Sequence, residues 1–108
     1  MININGIEWF IIAVPANNSK LYKKNGELSL AVCDANDKTI YLNRTLKGEM
    51  LKKVLRHEIA HAVIFSYNIK LPMEEEELFA DLIASHGNEI ISISNKIIRK
   101  LKLRGRFF

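Results

Sequence analysis

The chain has 108 residues, enough for one hydrophobic core and too few for two, so it reads as a single domain over 1–108. Hydrophobic residues make up 48% and charged residues 26%, ordinary for a soluble globular protein, with no repeat or low-complexity segment. The net charge of +4 hides an asymmetry: six of the sixteen basic residues (Lys96, Arg99, Lys100, Lys102, Arg104 and Arg106) crowd into the end of the chain, leaving residues 1–95 with ten basic against twelve acidic.

The first apolar run, Ile7-Glu8-Trp9-Phe10-Ile11-Ile12-Ala13-Val14-Pro15-Ala16, invites a signal-peptide reading. No Lys or Arg precedes it, Glu8 interrupts it and it is short, so it reads instead as a buried first strand over Ile7–Val14. Asn17-Asn18-Ser19 and Asn25-Gly26 are turn-like. Leu28–Cys33 and Thr39–Leu42 are β-prone runs around Asp34-Ala35-Asn36-Asp37-Lys38, the pattern of a hairpin. The lone Cys33 cannot form an internal disulfide; it implies a reducing compartment and reads as a small buried hydrophobe.

From Gly48 the period changes to helical, with Leu51, Val54, Leu55, Ile59 and Ala62 forming one stripe out to about Tyr67. A second helix opens after Pro72 and offers Leu78, Phe79, Leu82 and Ile83 for packing. Gly87-Asn88 reads as a stop, followed by a last helix carrying Ile90, Ile93, Ile97 and Leu101. The expected fold class is α+β: a small, mostly antiparallel sheet packed on a helix pair, with a C-terminal helix ending in the basic tail 96–108. No run reaches the roughly 18 apolar residues of a membrane span, and a cytoplasmic protein is expected.

His57-Glu58-Ile59-Ala60-His61 is an HExxH motif. Histidines four apart on a helix share a face and can hold one cation. Neutral imidazole suits Zn2+ at about 2.0–2.1 Å, and a glutamate beside the first ligand can take a proton from a water there. The plainer reading is two surface histidines on an amphipathic helix. A catalytic zinc also needs a third protein ligand. Glu77 can supply it, and Asp81, one turn on, can accept the free ring N–H of a ligand histidine. An antiparallel helix pair brings Glu77 nearly level with His61, at 1.5 Å of rise per residue. A third histidine in the pattern HExxHxxGxxH is excluded, because Ile64 and Tyr67 occupy those positions, and His86 lies half a turn off the face of Glu77. Glu74 competes, sharing that face at i,i+3. Glu74, Glu75 and Glu76 are otherwise explained as carboxylates at a helix N-terminus.

HExxH followed by Glu77-Leu78-Phe79-Ala80-Asp81 resembles the gluzincin arrangement. More narrowly, Leu55–Ala62 and Glu77–Ala84 are similar to the ImmA/IrrE metallopeptidases, a likeness that covers roughly residues 39–95. The resemblance implies His57, His61 and Glu77 as zinc ligands, Glu58 as general base, and a cytoplasmic enzyme of bacteria, phages or mobile elements. Members of that family are associated with cutting helix-turn-helix repressors, which makes a peptide segment of such a regulator the expected substrate. The short link between the ligand helices departs from the longer members and implies that docking, or a partner protein, supplies selectivity.

For the oxyanion the candidates are Tyr41, Tyr67, His86 and Arg44, with Tyr41 and Tyr67 as possible substrate contacts. An extended substrate is expected to add a strand to an exposed sheet edge, for which Thr39–Asn43 is the run named. Two other classes of function stay open: a zinc-bound regulatory or interaction protein that does not turn over, and a nucleic-acid accessory protein acting through the Lys96–Phe108 tail. An intact Glu58 argues against the first. Against the second stand the absence of any recognisable nucleic-acid-binding motif and the ordinary role of basic residues at a helix C-terminus.

Overall fold

Asn5 and Gly6 both take positive φ, 50° and 81°, the combination a two-residue type I′ hairpin turn requires. They fold β1 (Ile2–Ile4) back onto β2 (Ile7–Val14), antiparallel, with Ile2 opposite Trp9. This computed structural model describes residues 1–103. β2 lies where its apolar run predicts. β1 goes unforeseen, because three residues are too few to show a period-two pattern. β2 buries one face along its length, with Trp9 fully enclosed and Ile7 and Ile11 packed beside it; on the opposite face Phe10 and Ile12 stay exposed and only Val14, at the strand end, is buried.

From β2 the chain passes through a 3-10 turn (Ser19–Leu21), capped by the Asn18 side chain accepting from the Lys20 N–H. It returns as β3 (Ala31–Asp34), a shorter strand than the Leu28–Cys33 run expected. Leu28 instead forms an isolated bridge with Tyr22. β3 and β4 (Thr39–Asn43) make the expected hairpin, antiparallel, with Asp34 opposite Thr39. The Asp34 carboxylate accepts from the Asn36 N–H inside its loop at 2.9 Å. β4 also pairs parallel with β2, Phe10 opposite Thr39. The sheet order is β1-β2-β4-β3, a mixed sheet with two antiparallel pairings and one parallel.

β4 is therefore interior, hydrogen-bonded on both sides and buried on both faces, with Ile40 and Leu42 in the main core and Tyr41 against Val14 and Leu21. That corrects the expectation that Thr39–Asn43 is an open edge: β4 is paired on both sides, and Thr39 to Leu42 are buried on both faces. The open edges are β1 and β3.

Helix α1 (Gly48–Ser66) lays Leu51, Val54, Leu55, Ile59 and Ala62 onto the sheet, the stripe its spacing predicts. Its C-terminus is a Schellman motif: Asn68 takes φ 54°, the Ile69 N–H reaches Ile64 O at 3.0 Å and the Asn68 N–H reaches Phe65 O at 3.0 Å. Trp9 pins that end, its indole N–H donating to Ser66 Oγ at 2.8 Å while its ring meets Phe65 edge to face.

Helix α2 (Met73–Leu103) starts as predicted, with the Pro72 carbonyl accepting from the N–H groups of Glu75 and Glu76. Two expectations about it are corrected. The break at Gly87-Asn88 does not form, and the supposed C-terminal helix is the second half of one helix of 31 residues. Gly87 has no left-handed φ to end the helix, and the apolar period continues through it. The packing face is also different. Ala80 and Ala84 are buried, whereas Leu78, Phe79, Leu82 and Ile83 are exposed. Small residues let α2 approach α1 closely and turn the large ones outward. Of the basic tail, Lys96, Arg99, Lys100 and Lys102 lie exposed on the last turns of α2, and Arg104 and Arg106 fall outside the described residues. No helix among the described residues is long and apolar enough to cross a membrane.

Candidate metal centre

One turn of α1 separates His57 from His61, and both rings leave the helix beside the core stripe rather than within it. Their Nε2 atoms lie 3.2 Å apart. The α1–α2 link reverses the chain in six residues, so the two helices run antiparallel and Glu77 arrives opposite the histidines. One Glu77 oxygen is 3.2 Å from His57 Nε2 and the other 2.9 Å from His61 Nε2. These three side chains are the metal-ligand cluster found among the described residues.

The donor set fits zinc. Tetrahedral bonds of about 2.0–2.1 Å hold neighbouring donor atoms about 3.3 Å apart, close to the spacings seen here. The other ring nitrogens support the same reading. His57 Nδ1–H donates to Asp81 Oδ1 at 2.9 Å, and His61 Nδ1–H donates to Glu76 Oε2 at 2.5 Å. Each carboxylate holds its imidazole in the Nδ1–H tautomer, which leaves both Nε2 lone pairs pointing into the cluster. His57 and His61 are only 19% and 12% exposed at their side chains and Glu77 is 47% exposed, so the cluster is half-roofed and open on one side.

Glu58 faces the same cleft and is buried. Burial pushes its carboxyl pKa up, against the pull that His57 and His61 exert when protonated; Glu77 adds to the rise and Lys23 opposes it. A raised carboxylate is a better proton acceptor near neutral pH. The cleft encloses about 940 Å³. The β3 segment forms one wall and the link between α1 and α2 the other. Cys33 lines it too. It is half-buried rather than fully so, and its thiol is pushed up to about 12, chiefly by burial and then by the neighbouring carboxylates of Glu58 and Glu76.

Sequence reasoning named His57, Glu58, His61, Glu77 and Asp81, and the fold brings all five together. Glu74 makes no contact with the cluster, and Glu77 is the acid that reaches both histidines. Glu76 was assigned only to the helix N-terminus; it also holds His61. The signal was available, since two ligand histidines have two free ring N–H groups and Asp81 answers only one. Tyr41 and Tyr67 do not join the site. Tyr41 is buried on the face of the sheet turned away from α1, where its hydroxyl donates to Asp37 Oδ2 at 2.5 Å, a bond that raises its pKa. Tyr67 caps α1 and projects outside the cleft. Arg44 and His86 are likewise absent from the cleft lining.

No protein-family model, curated protein or solved structure matches the chain.

Proposed function

We propose that the chain is a zinc-dependent metallopeptidase of the kind its HExxH and Glu-x-x-Ala-Asp motifs resemble, acting on an extended segment of a cytoplasmic regulator. The observation that carries this reading is the convergence of the His57, His61 and Glu77 donors at 2.9–3.2 Å beside a buried Glu58 in an open cleft. A site kept only for folding has no use for a base there.

Bound zinc would supply Lewis acidity, lowering the pKa of water and polarising the scissile carbonyl. The chain's own groups do the rest. His57, His61 and Glu77 hold the ion, and Asp81 and Glu76 orient the two imidazoles. Glu58 accepts the proton of the attacking water, then delivers it to the leaving amine as the tetrahedral adduct collapses. The free edge of β3 borders the cleft, so an extended substrate can add a strand there. This edge takes the role that sequence reasoning gave to β4. The helix-turn-helix repressor of a phage or mobile element remains the proposed target, on the strength of the motif resemblance.

Protein purified without a polyhistidine tag should carry one zinc per chain, measured by elemental analysis after equilibration with the metal. Glu58→Gln should keep that zinc and the fold while hydrolysis of a co-expressed repressor falls by about 100-fold or more, the usual scale of lost general base catalysis. A well-folded chain that takes up no zinc would overturn the reading. Cleavage that persists in Glu58→Gln would remove the proposed role of Glu58.

A further inference from the structure

At 1.5 Å per residue α2 is about 46 Å long and α1 about 28 Å. With Glu77 level with His61, α2 passes the start of α1 near Ile90, and every residue from 91 to 100 is exposed. The described chain measures 55 × 30 × 27 Å, elongated along this projection. A helix end that protrudes into water should be polar all round. This one is not. Phe79, Ile83, Ile90, Ile93 and Ile97 recur at three-, four- and seven-residue intervals on one face, and each is between 45% and 56% exposed. At its N-terminal end the stripe runs into an apolar groove of about 500 Å³, where Phe79 and Ile83 of α2 face Ile59 and Val63 of α1.

We propose that two copies of this chain pair through α2 as an antiparallel helix dimer, each copy's protruding Ile90–Ile97 segment lying along the groove beside Phe79 and Ile83 of the other. The spacing of the stripe is self-complementary. A two-fold axis near residue 88 sets Phe79 against Ile97, Ile83 against Ile93 and His86 against Ile90, with four-residue and three-residue steps matching in both directions. The charges choose the same direction. Of the helix's acidic start, Glu76, Glu77 and Asp81 contact the α1 histidines, which leaves Glu74 and Glu75 to meet a basic end at Lys96, Arg99, Lys100 and Lys102. Parallel pairing sets like charges together, whereas antiparallel pairing lays each acidic start along the other copy's basic end. Glu75 and Lys100 flank the stripe on the same side and become neighbours across that axis. The groove uses Ile59 and Val63 of α1 and the cleft uses His57 and His61, and the two adjoin at Ile64 and Ile69. A solvated apolar stripe of this length is uncommon on a monomer.

Sedimentation equilibrium on the full chain tests the pairing. A dimer is expected, with Ile93→Glu and Ile97→Glu each raising its dissociation constant about 100-fold or more, since each buries a charge in an apolar seam. Both residues are exposed in one copy, so helicity by circular dichroism should be unchanged. Glu75→Lys and Lys100→Glu should each weaken the dimer and together restore it. Direction is read by cross-linking in a Cys33→Ser background. A short bis-maleimide should join His86→Cys between copies, about 6 Å apart along the axis, and should not join Ile97→Cys, whose two copies lie about 27 Å apart. Cross-linking at both positions means a parallel pair and overturns the proposal. So does a monomer at every concentration, which would leave the stripe to a different protein, and so does a dimer that withstands Ile93→Glu and Ile97→Glu.

Discussion

At the scale of single residues, Glu76 and Asp81 do the same work for different histidines, and neither reaches the metal cluster itself. Each accepts the Nδ1–H of one imidazole, so losing it frees a ring to rotate without removing a donor. Asp81→Asn and Glu76→Gln should therefore lower zinc affinity by about 10–100-fold each, measured by competition with a chromophoric chelator. Glu77→Ala should cost more, because a donor is lost, and Glu74→Ala should cost nothing. Equal losses at Glu74 and Glu77 would contradict the assignment. Cys33 supplies the pH dependence. Its folded pKa of about 12 stands above the ordinary 9.0, so the folded chain holds its proton where the unfolded chain has released it. Any stability tied to this group is complete below pH 9 and is lost as the pH rises from 9 toward 12. In metal-free protein at pH 8, iodoacetamide should modify Cys33 about a thousandfold more slowly than in urea, in step with the smaller thiolate fraction. Comparable rates in the two states would show that burial does not protect the thiol.

At the scale of elements, legibility followed local signal strength. β2, the β3–β4 hairpin, the span of α1 and the start of α2 each carry a period or a breaker that local physics reads correctly. What failed was decided by tertiary context. β4 alternates Ile40 and Leu42 with Thr39, Tyr41 and Asn43, the pattern of a half-exposed strand, and only the sheet order shows that it is interior. Leu78, Phe79, Leu82 and Ile83 were the natural packing residues by hydrophobicity, but Ala80 and Ala84 won because two helices joined through His57, His61 and Glu77 must approach closely. Within the site, the motif spacing named the three side chains that the fold brings together, His57, His61 and Glu77, whereas Glu76 needed the helix crossing to be seen. Gly87 shows how weak a lone glycine is as a stop. Held in a helix without a left-handed φ, it sacrifices backbone entropy for nothing visible, and an added Cβ would meet only Ile83 Cγ2 at 3.6 Å, ordinary contact. Gly87→Ala should stabilise the chain by about 0.5–1 kcal/mol in urea unfolding. Destabilisation instead would mean that α2 bends at this position or that a partner packs against it.

At the scale of the whole molecule, the cluster joins two layers that also pack closely, α2 lying along α1 through its buried alanines. α1 lies on the sheet through its apolar stripe, but α2 touches the rest of the domain through small residues and carries its large ones outward. Glu76, Glu77 and Asp81 add to that packing a polar contact with two histidines of α1. Without a cation between them, those donors crowd a carboxylate against two ring nitrogens. With zinc present, the ligands of both helices become part of one coordination shell that exists only in the folded state. Linkage then sets the size of the effect: at a free metal concentration 100 times the dissociation constant, folding gains about 2.7 kcal/mol. For a domain near this size, about 1 kcal/mol moves the midpoint by roughly 4–8 °C, so thermal unfolding should shift upward by roughly 10–20 °C on loading. The gain should vanish with a chelator and in His61→Ala, and it should survive in Glu58→Gln, which keeps every ligand. Because α2 is the element secured, proteolysis in the α1–α2 link at residues 67–72 should slow in parallel with the thermal shift. A shift that persists in His61→Ala would place the stabilising metal somewhere other than this cluster.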